Sequence, residues 1–177
     1  MLYTNDTTPI ARASILGLQG VFDWYSEPTK IRKELSKIGG RIVLLANSRE
    51  LIYGVLKRRE LVGYLRLIKS NNMWIVSEMQ MFEEFSGMGI MSEVFSTALE
   101  DTINIVSNST HDDSMKFFYL RFVEKQQEFG LFSIDLDTNE VTPFDYNNPE
   151  QYWDGRENIR LMIKPNPAIA QVVHLEE

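Results

Sequence analysis

The chain has 177 residues, 44% hydrophobic and 24% charged, with a formal net charge of −7, which fits one folded domain over residues 1–177. It has no cysteine and only two histidines, His111 and His174. Disulfides, thiolate chemistry and cysteine-ligated metals are therefore excluded, and a histidine-built metal site or triad is disfavoured. The acidic balance argues against nonspecific nucleic-acid or anionic-membrane binding, no apolar run is long enough to span a bilayer, and the opening residues lack a signal-peptide pattern, so a cytoplasmic location is expected.

In chain order, Thr8 and Pro9 suit the start of a short helix with Ile10, Ala11, Ile15, Leu16 and Leu18 on its apolar side. Phe22, Trp24 and Tyr25 follow as packing aromatics. The spacing of Ile31, Leu35 and Ile38 predicts a helix over Pro28 to Ile38, supported by a Lys30–Glu34 pair and ended by Gly39 and Gly40. Strands are predicted over Ile42 to Ala46, Leu51 to Leu56 and Leu61 to Ile68, the last two joined as a hairpin through the polar turn Lys57 to Glu60. Lys57, Arg58 and Arg59 read as a solvated turn in preference to a phosphate patch. Asn71 and Asn72 turn the chain into a further strand, Met73 to Phe82.

That strand leads into Gly87 and Gly89 and directly into a helical pattern. Ile90, Met91, Val94, Phe95, Ala98 and Leu99 recur at three- and four-residue intervals and form one apolar face. A strand, a glycine turn and a helix start can hold an anion on free backbone N–H groups. The same glycines would equally serve a plain tight turn. This is the one stretch that points at a ligand.

Beyond it, Ile103 to Val106 reads as a short strand and Ser107 to Ser114 as a polar loop. Asp112, Asp113 or Ser114 can cap a helix running to about Glu128, with Phe118, Phe122 and Phe129 near one face and Gly130 as its stop. Leu131 to Leu136 and Val141 to Phe144 read as a strand pair around an Asp137 to Asn139 turn. The Asn-, Pro- and aromatic-rich segment 145–154 precedes a last strand, Ile159 to Ile163. Pro165 and Pro167 end that strand, and the tail turns apolar again at Ile169 and Val172.

The order of these elements, with Val76 to Phe82 followed by Ser86-Gly87-Met88-Gly89-Ile90-Met91, resembles the GNAT family of N-acetyltransferases over roughly Ile42 to Leu136. The resemblance implies a mixed α/β, acyl-CoA N-acyltransferase-like domain: a largely antiparallel twisted sheet flanked by helices. It also implies acetyl-CoA as cofactor. The family's loop pattern is Arg/Gln-x-x-Gly-x-Gly/Ala, whose amides bind the pyrophosphate. Here Ser86 stands for the Arg or Gln, Gly89 matches the inner glycine and Met91 replaces the last small residue. By that alignment Met79, Met81, Ser86, Gly87, Met88, Gly89, Ile90 and Met91 are the expected cofactor-binding residues, with no metal.

The implied chemistry is direct attack of an amine on the thioester. Glu78 is the candidate base, expected to face the same way as Trp74, Val76 and Gln80, and a solvated sheet face is its alternative setting. Tyr119 is the candidate leaving-group acid, with core-edge packing as its alternative, and the Gly-Phe expected shortly after it is replaced by Val123 and Glu124. Asn108, His111, Asp112 and Asp113 are placed near a substrate mouth without a chemical role. The implied function is N-acyl transfer to a small-molecule or protein amine. A second reading is a non-catalytic scaffold that binds a protein partner through residues 144–153.

Overall fold

The structure is a computed structural model that describes residues 17–19, 30–108, 113–152 and 158–166. Within them the chain forms β1 (Lys30–Leu35), β2 (Gly40–Ala46), β3 (Glu50–Lys57), β4 (Glu60–Ser70), β5 (Met73–Met81), α1 (Ile90–Thr102), β6 (Ile105–Val106), α2 (Asp113–Lys125), β7 (Phe129–Asp135), β8 (Val141–Pro143) and β9 (Ile159–Pro165). A single sheet takes them in the order β1-β2-β3-β4-β5-β6-β9-β7-β8. Every neighbouring pair is antiparallel except β5 and β6. The fold is thus a mixed α/β domain built on a largely antiparallel sheet, as expected.

The four strands β2 to β5 form a meander because each is apolar and each is separated from the next by a short polar turn. Two of these turns hold consecutive non-glycine residues at positive φ: Arg58 and Arg59 at 50° and 78°, Asn71 and Asn72 at 48° and 63°. That pattern gives a two-residue loop whose twist matches its flanking strands. The main core lies between one sheet face and the helices. All six expected residues of α1 are buried there, with Phe95 edge-on to Phe118, Tyr119 and Phe122 at 5.4, 6.0 and 5.2 Å. A smaller cluster on the opposite face contains Val43, Leu45, Ile52, Leu61 and Tyr64, with Leu18 packed against it.

Several expectations are corrected. The predicted helix over Pro28 to Ile38 is instead β1, paired with β2 from Lys30↔Leu44 to Leu35↔Gly40. Ion pairs Arg32–Asp101 and Lys33–Glu93 tie that strand to α1, so pairing with the sheet overrides its local helical spacing. Gly39, at φ 61°, turns a hairpin where a helix end was expected. The helix α2 stops at Lys125, short of Glu128, and Gly130 lies inside β7. The expected strand from Ile103 shrinks to Ile105–Val106, with Ile103 exposed beyond the end of α1. In the segment 144–152, Phe144 is buried against Tyr152, so its aromatic ring closes on its own loop, while Tyr146 stays exposed. The helix around Pro9, the aromatics Phe22, Trp24 and Tyr25, and His111, Asp112, Trp153, Ile169 and Val172 lie outside the described residues.

Two features of β5 shape the candidate site. First, Arg66 on β4 pairs with Glu78 while Leu67 pairs with Val76, which leaves Ser77 as an extra residue on β5. This bulge reverses side-chain parity along the strand. Val76, Met79 and Met81 all join the helix-side core. Glu78 therefore points to the opposite face, away from Trp74 and Val76, which corrects the orientation expected from simple alternation. Second, β5 and β6 share one rung, Ile75↔Val106. Ser107 then turns to β9: its N–H donates to the Leu161 carbonyl at 2.7 Å, and its Oγ accepts from the Leu161 N–H at 3.0 Å. From Val76 to Met81, β5 has β4 on one edge and no strand on the other among the described residues.

Candidate functional site

The open edge of β5 ends at the glycine loop. After Met81 the chain makes one 3₁₀ turn, Glu83–Phe85, anchored by buried Phe85, over whose ring the Lys57 ammonium sits at 4.9 Å. Ser86 closes the turn, its N–H donating to the Glu83 carbonyl at 2.9 Å, and its buried Oγ has no hydrogen-bond partner among the described residues. Gly87 and Gly89 both take left-handed backbone, at φ 74° and 76°. Gly89 is the N-cap of α1, and among the described residues no side chain caps that end. An added Cβ at Gly87 would meet nothing within 4 Å, and at Gly89 only the Lys37 Nζ at 3.9 Å. Among the described residues, the space beside the loop is open.

This end of α1 offers unsatisfied amides and the positive pole of the helix. The side chains of Ile90 and Met91 are buried, so those residues present backbone alone to the loop. Met88 is exposed. Lys37, in the β1–β2 turn, donates to the Met88 carbonyl at 3.5 Å. It brings a cation to the loop that holds Ser86. A cleft of about 160 Å³ lies between that turn and the first turn of α1, lined by Leu35, Ser36, Lys37, Ile90 and Glu93 among others. Exposed Glu83 and Glu84 put negative charge on the same loop.

Glu78 lies on the far face of the sheet in a polar network. Its Oε2 accepts a hydrogen bond from the Tyr64 hydroxyl at 2.6 Å, and its Oε1 is 3.9 Å from Arg66 Nη1. Arg66 in turn pairs through Nε with Glu50 of β3. The Glu78 side chain is 36% exposed, so water and a solute can reach it. Tyr119 sits elsewhere. It lies within α2 in the aromatic core on the helix side, 1% exposed, and burial pushes its phenol well above the usual tyrosine range. The structure does not bring Glu78 and Tyr119 to one face; β5 runs between them.

The glycine-loop residues are thus assembled at one point, and Met79 and Met81 line the open edge with their side chains turned into the core. Lys37, Tyr64 and Arg66 carry no signal in the sequence because a hairpin turn and a strand register, both tertiary features, bring them in. Among the described residues no three His, Cys, Asp or Glu side chains are grouped to hold a metal ion, and no helix is long and apolar enough to cross a membrane.

No protein-family model matches the chain, and no curated protein sequence does. Solved structures do. The IAA acetyltransferase from Bacillus cereus aligns over 65% of this chain and 76% of its own at 18% identity and a TM-score of 0.40. An acetyltransferase from Thermus thermophilus aligns over 68% and 67% at 16% identity and 0.41. ElaA from Escherichia coli aligns over 92% and 95% at 14% identity and 0.43. At scores this low the likeness is an outline, and function rests on the chain's own geometry.

Proposed function

We propose that this chain is a single-domain, acyl-CoA-dependent N-acyltransferase of the GNAT type that acts on an amine, with the cytoplasm as its place of action. The observation that carries the reading is the β5–β6 pair, which holds one rung and then, among the described residues, leaves the β5 edge open up to a glycine loop and an uncapped helix start. Carboxyl ends of parallel strands joined through a helix are where such folds receive ligands. The residues fit acetyl-CoA. The open space at Gly87 and Gly89, the unpartnered Ser86 hydroxyl and the amides of Met88 to Met91 suit the pyrophosphate. An extended pantetheine arm can pair with β5 backbone at Met79 and Met81 as an added strand does. When bound, acetyl-CoA supplies the acyl group already activated as a thioester.

The chain's own residues then have distinct tasks. Glu78 takes the proton that keeps the amine from attacking. The bulge at Ser77 leaves backbone out of ladder register, the kind of place where an N–H is available to an acyl oxygen. Tyr119 is the proposed proton donor to the leaving sulfur, from the helix side of β5; like any phenol it is protonated at neutral pH. Isothermal titration with acetyl-CoA, alongside a pyrophosphate-lacking fragment, tests the reading. Saturable binding that needs the pyrophosphate is expected, and no binding of any acyl-CoA by folded protein refutes it. Glu78→Gln should lower the acyl-transfer rate and leave coenzyme affinity unchanged. Tyr119→Phe should slow release of the thiol, and an unchanged rate would return Tyr119 to packing alone.

A second reading, a non-catalytic scaffold that binds a protein partner, is favoured by Tyr146, which is 60% exposed on the 144–152 segment. Pull-down with and without a Tyr146→Ala change would decide it.

A further inference from the structure

We infer that Tyr64 is a positioning residue for the proposed base: it holds Glu78 through Oε2 and leaves Oε1 as the oxygen that meets the amine. The inference rests on the acyl-transfer reading and names how its acceptor side is arranged.

The Tyr64 ring is fully buried in the smaller core, among Val43, Leu45, Ile52 and Leu61. A ring packed to that density has a fixed direction, so its hydroxyl points where the strand puts it. That point is Glu78 Oε2, at 2.6 Å. Tyr64 lies opposite Gln80 in the ladder, so the contact is diagonal, the reach expected of a large aromatic side chain. Arg66, which lies directly opposite Glu78, is engaged with Glu50 through Nε and stands off Oε1 at 3.9 Å, beyond hydrogen-bond range. The two carboxylate oxygens are therefore unlike. One is bound to a rigid phenol, and the other meets only the long Arg66 ion pair on a half-open surface. The bulge at Ser77 makes this possible, because regular alternation would send Glu78 into the helix-side core.

In the proposed reaction the amine loses its proton to Glu78 Oε1, its nitrogen bonds the acyl carbon, the carbon–sulfur bond breaks, and the sulfur leaves as the thiol with a proton drawn from the protein. A carboxylate free to rotate would spend part of its time with neither oxygen aimed at the amine. Tyr64 removes that freedom, and the acceptor must then approach from the sheet face that carries Glu50 and Arg66.

The test is a double-substitution cycle of Tyr64→Phe and Glu78→Ala, assayed by thiol release from acetyl-CoA with four probe acceptors: n-butylamine, spermidine, glycinamide and a short peptide with a free amino terminus. Tyr64→Phe is expected to lower kcat about tenfold, with KM for the amine and acetyl-CoA affinity within about twofold, and to cost nothing further once Glu78 is alanine. If Tyr64→Phe does not fold, Glu78→Asp, which withdraws the carboxylate from the phenol, must show the same split between kcat and KM. Additive losses, or a Tyr64→Phe enzyme as fast as its parent, overturn the positioning role and leave acyl transfer standing. Failure of the unsubstituted chain to turn over any of the four acceptors overturns both.

Discussion

Gly89→Ala separates the conformation of the loop from its contacts. Gly89 sits at φ 76° and ψ 7°, and a methyl there would meet only the end of a flexible lysine side chain at 3.9 Å. No clash arises, so the stability loss is the cost of a left-handed L-residue, about 1–2 kcal/mol. For a chain of this size that corresponds to a fall in Tm of about 2–8 °C. Gly87→Ala is the matched control, since its φ of 74° carries the same strain and its Cβ also enters open space. The two variants should melt alike. Both should weaken acetyl-CoA binding, Gly89→Ala the more, because its methyl stands at the first turn of α1, where the anion meets the amides. An affinity loss of about tenfold or more, measured by titration, is expected there. Gly89→Asn should recover much of the melting temperature, since asparagine tolerates this backbone, without recovering affinity. A Gly89→Ala protein that binds acetyl-CoA as tightly as Gly87→Ala would refute the phosphate cradle.

Phe95→Ala should cost about 3–5 kcal/mol in urea unfolding, since Phe95 is fully buried and sits edge-on to three other aromatic rings. Gly40→Ala should cost about 1–3 kcal/mol by overpacking, because its Cβ would fall 2.6 Å from the Leu56 carbonyl oxygen, a backbone atom with no room to yield. Alkaline stability should be limited by tyrosines. Tyr53 is raised by burial and by the adjacent Asp101 carboxylate, and Tyr119 by burial. A raised folded pKa means the unfolded chain loses its proton first, so their stabilisation is complete below about pH 10 and is lost as pH rises beyond it. The urea midpoint should hold to about pH 9 and fall above 10, and the double variant Tyr53→Phe/Tyr119→Phe should flatten that fall.

Where pattern and burial agree, the fold is readable from the residues. The apolar strands β2 to β5, the Asn71–Asn72 turn and the apolar face of α1 all emerge where expected, because short-range sequence fixes each and cores cover both faces of those strands. Residues Lys30 to Leu35 mislead because Ile31 and Leu35 suit a helix face by spacing. Their fate is set by the β2 edge and by Asp101 and Glu93, some sixty to seventy residues on.

The site is legible in composition and hidden in orientation. Its glycines and carboxylate are visible as letters, but a single extra residue at Ser77 decides which face Glu78 occupies, and a bulge of this kind has no residue signature. Tyr64 reads as one more apolar strand residue until the ladder register sets it beside that carboxylate. Lys37 reads as part of a helix until the hairpin turn carries it to Met88.

The single rung between β5 and β6 has a mechanical meaning. On one side of it lie five strands stitched together by neighbouring hairpins. On the other, β6 and β9 meet across more than fifty residues of chain. In backbone pairing among the described residues, the sheet is close to two plates joined by one rivet, with the helix-side core packed across the seam. Any extended molecule laid along the free edge of β5 would bridge that seam as a splint. Occupancy and cohesion of the two plates would then rise together, and the chain would be at its stiffest when loaded.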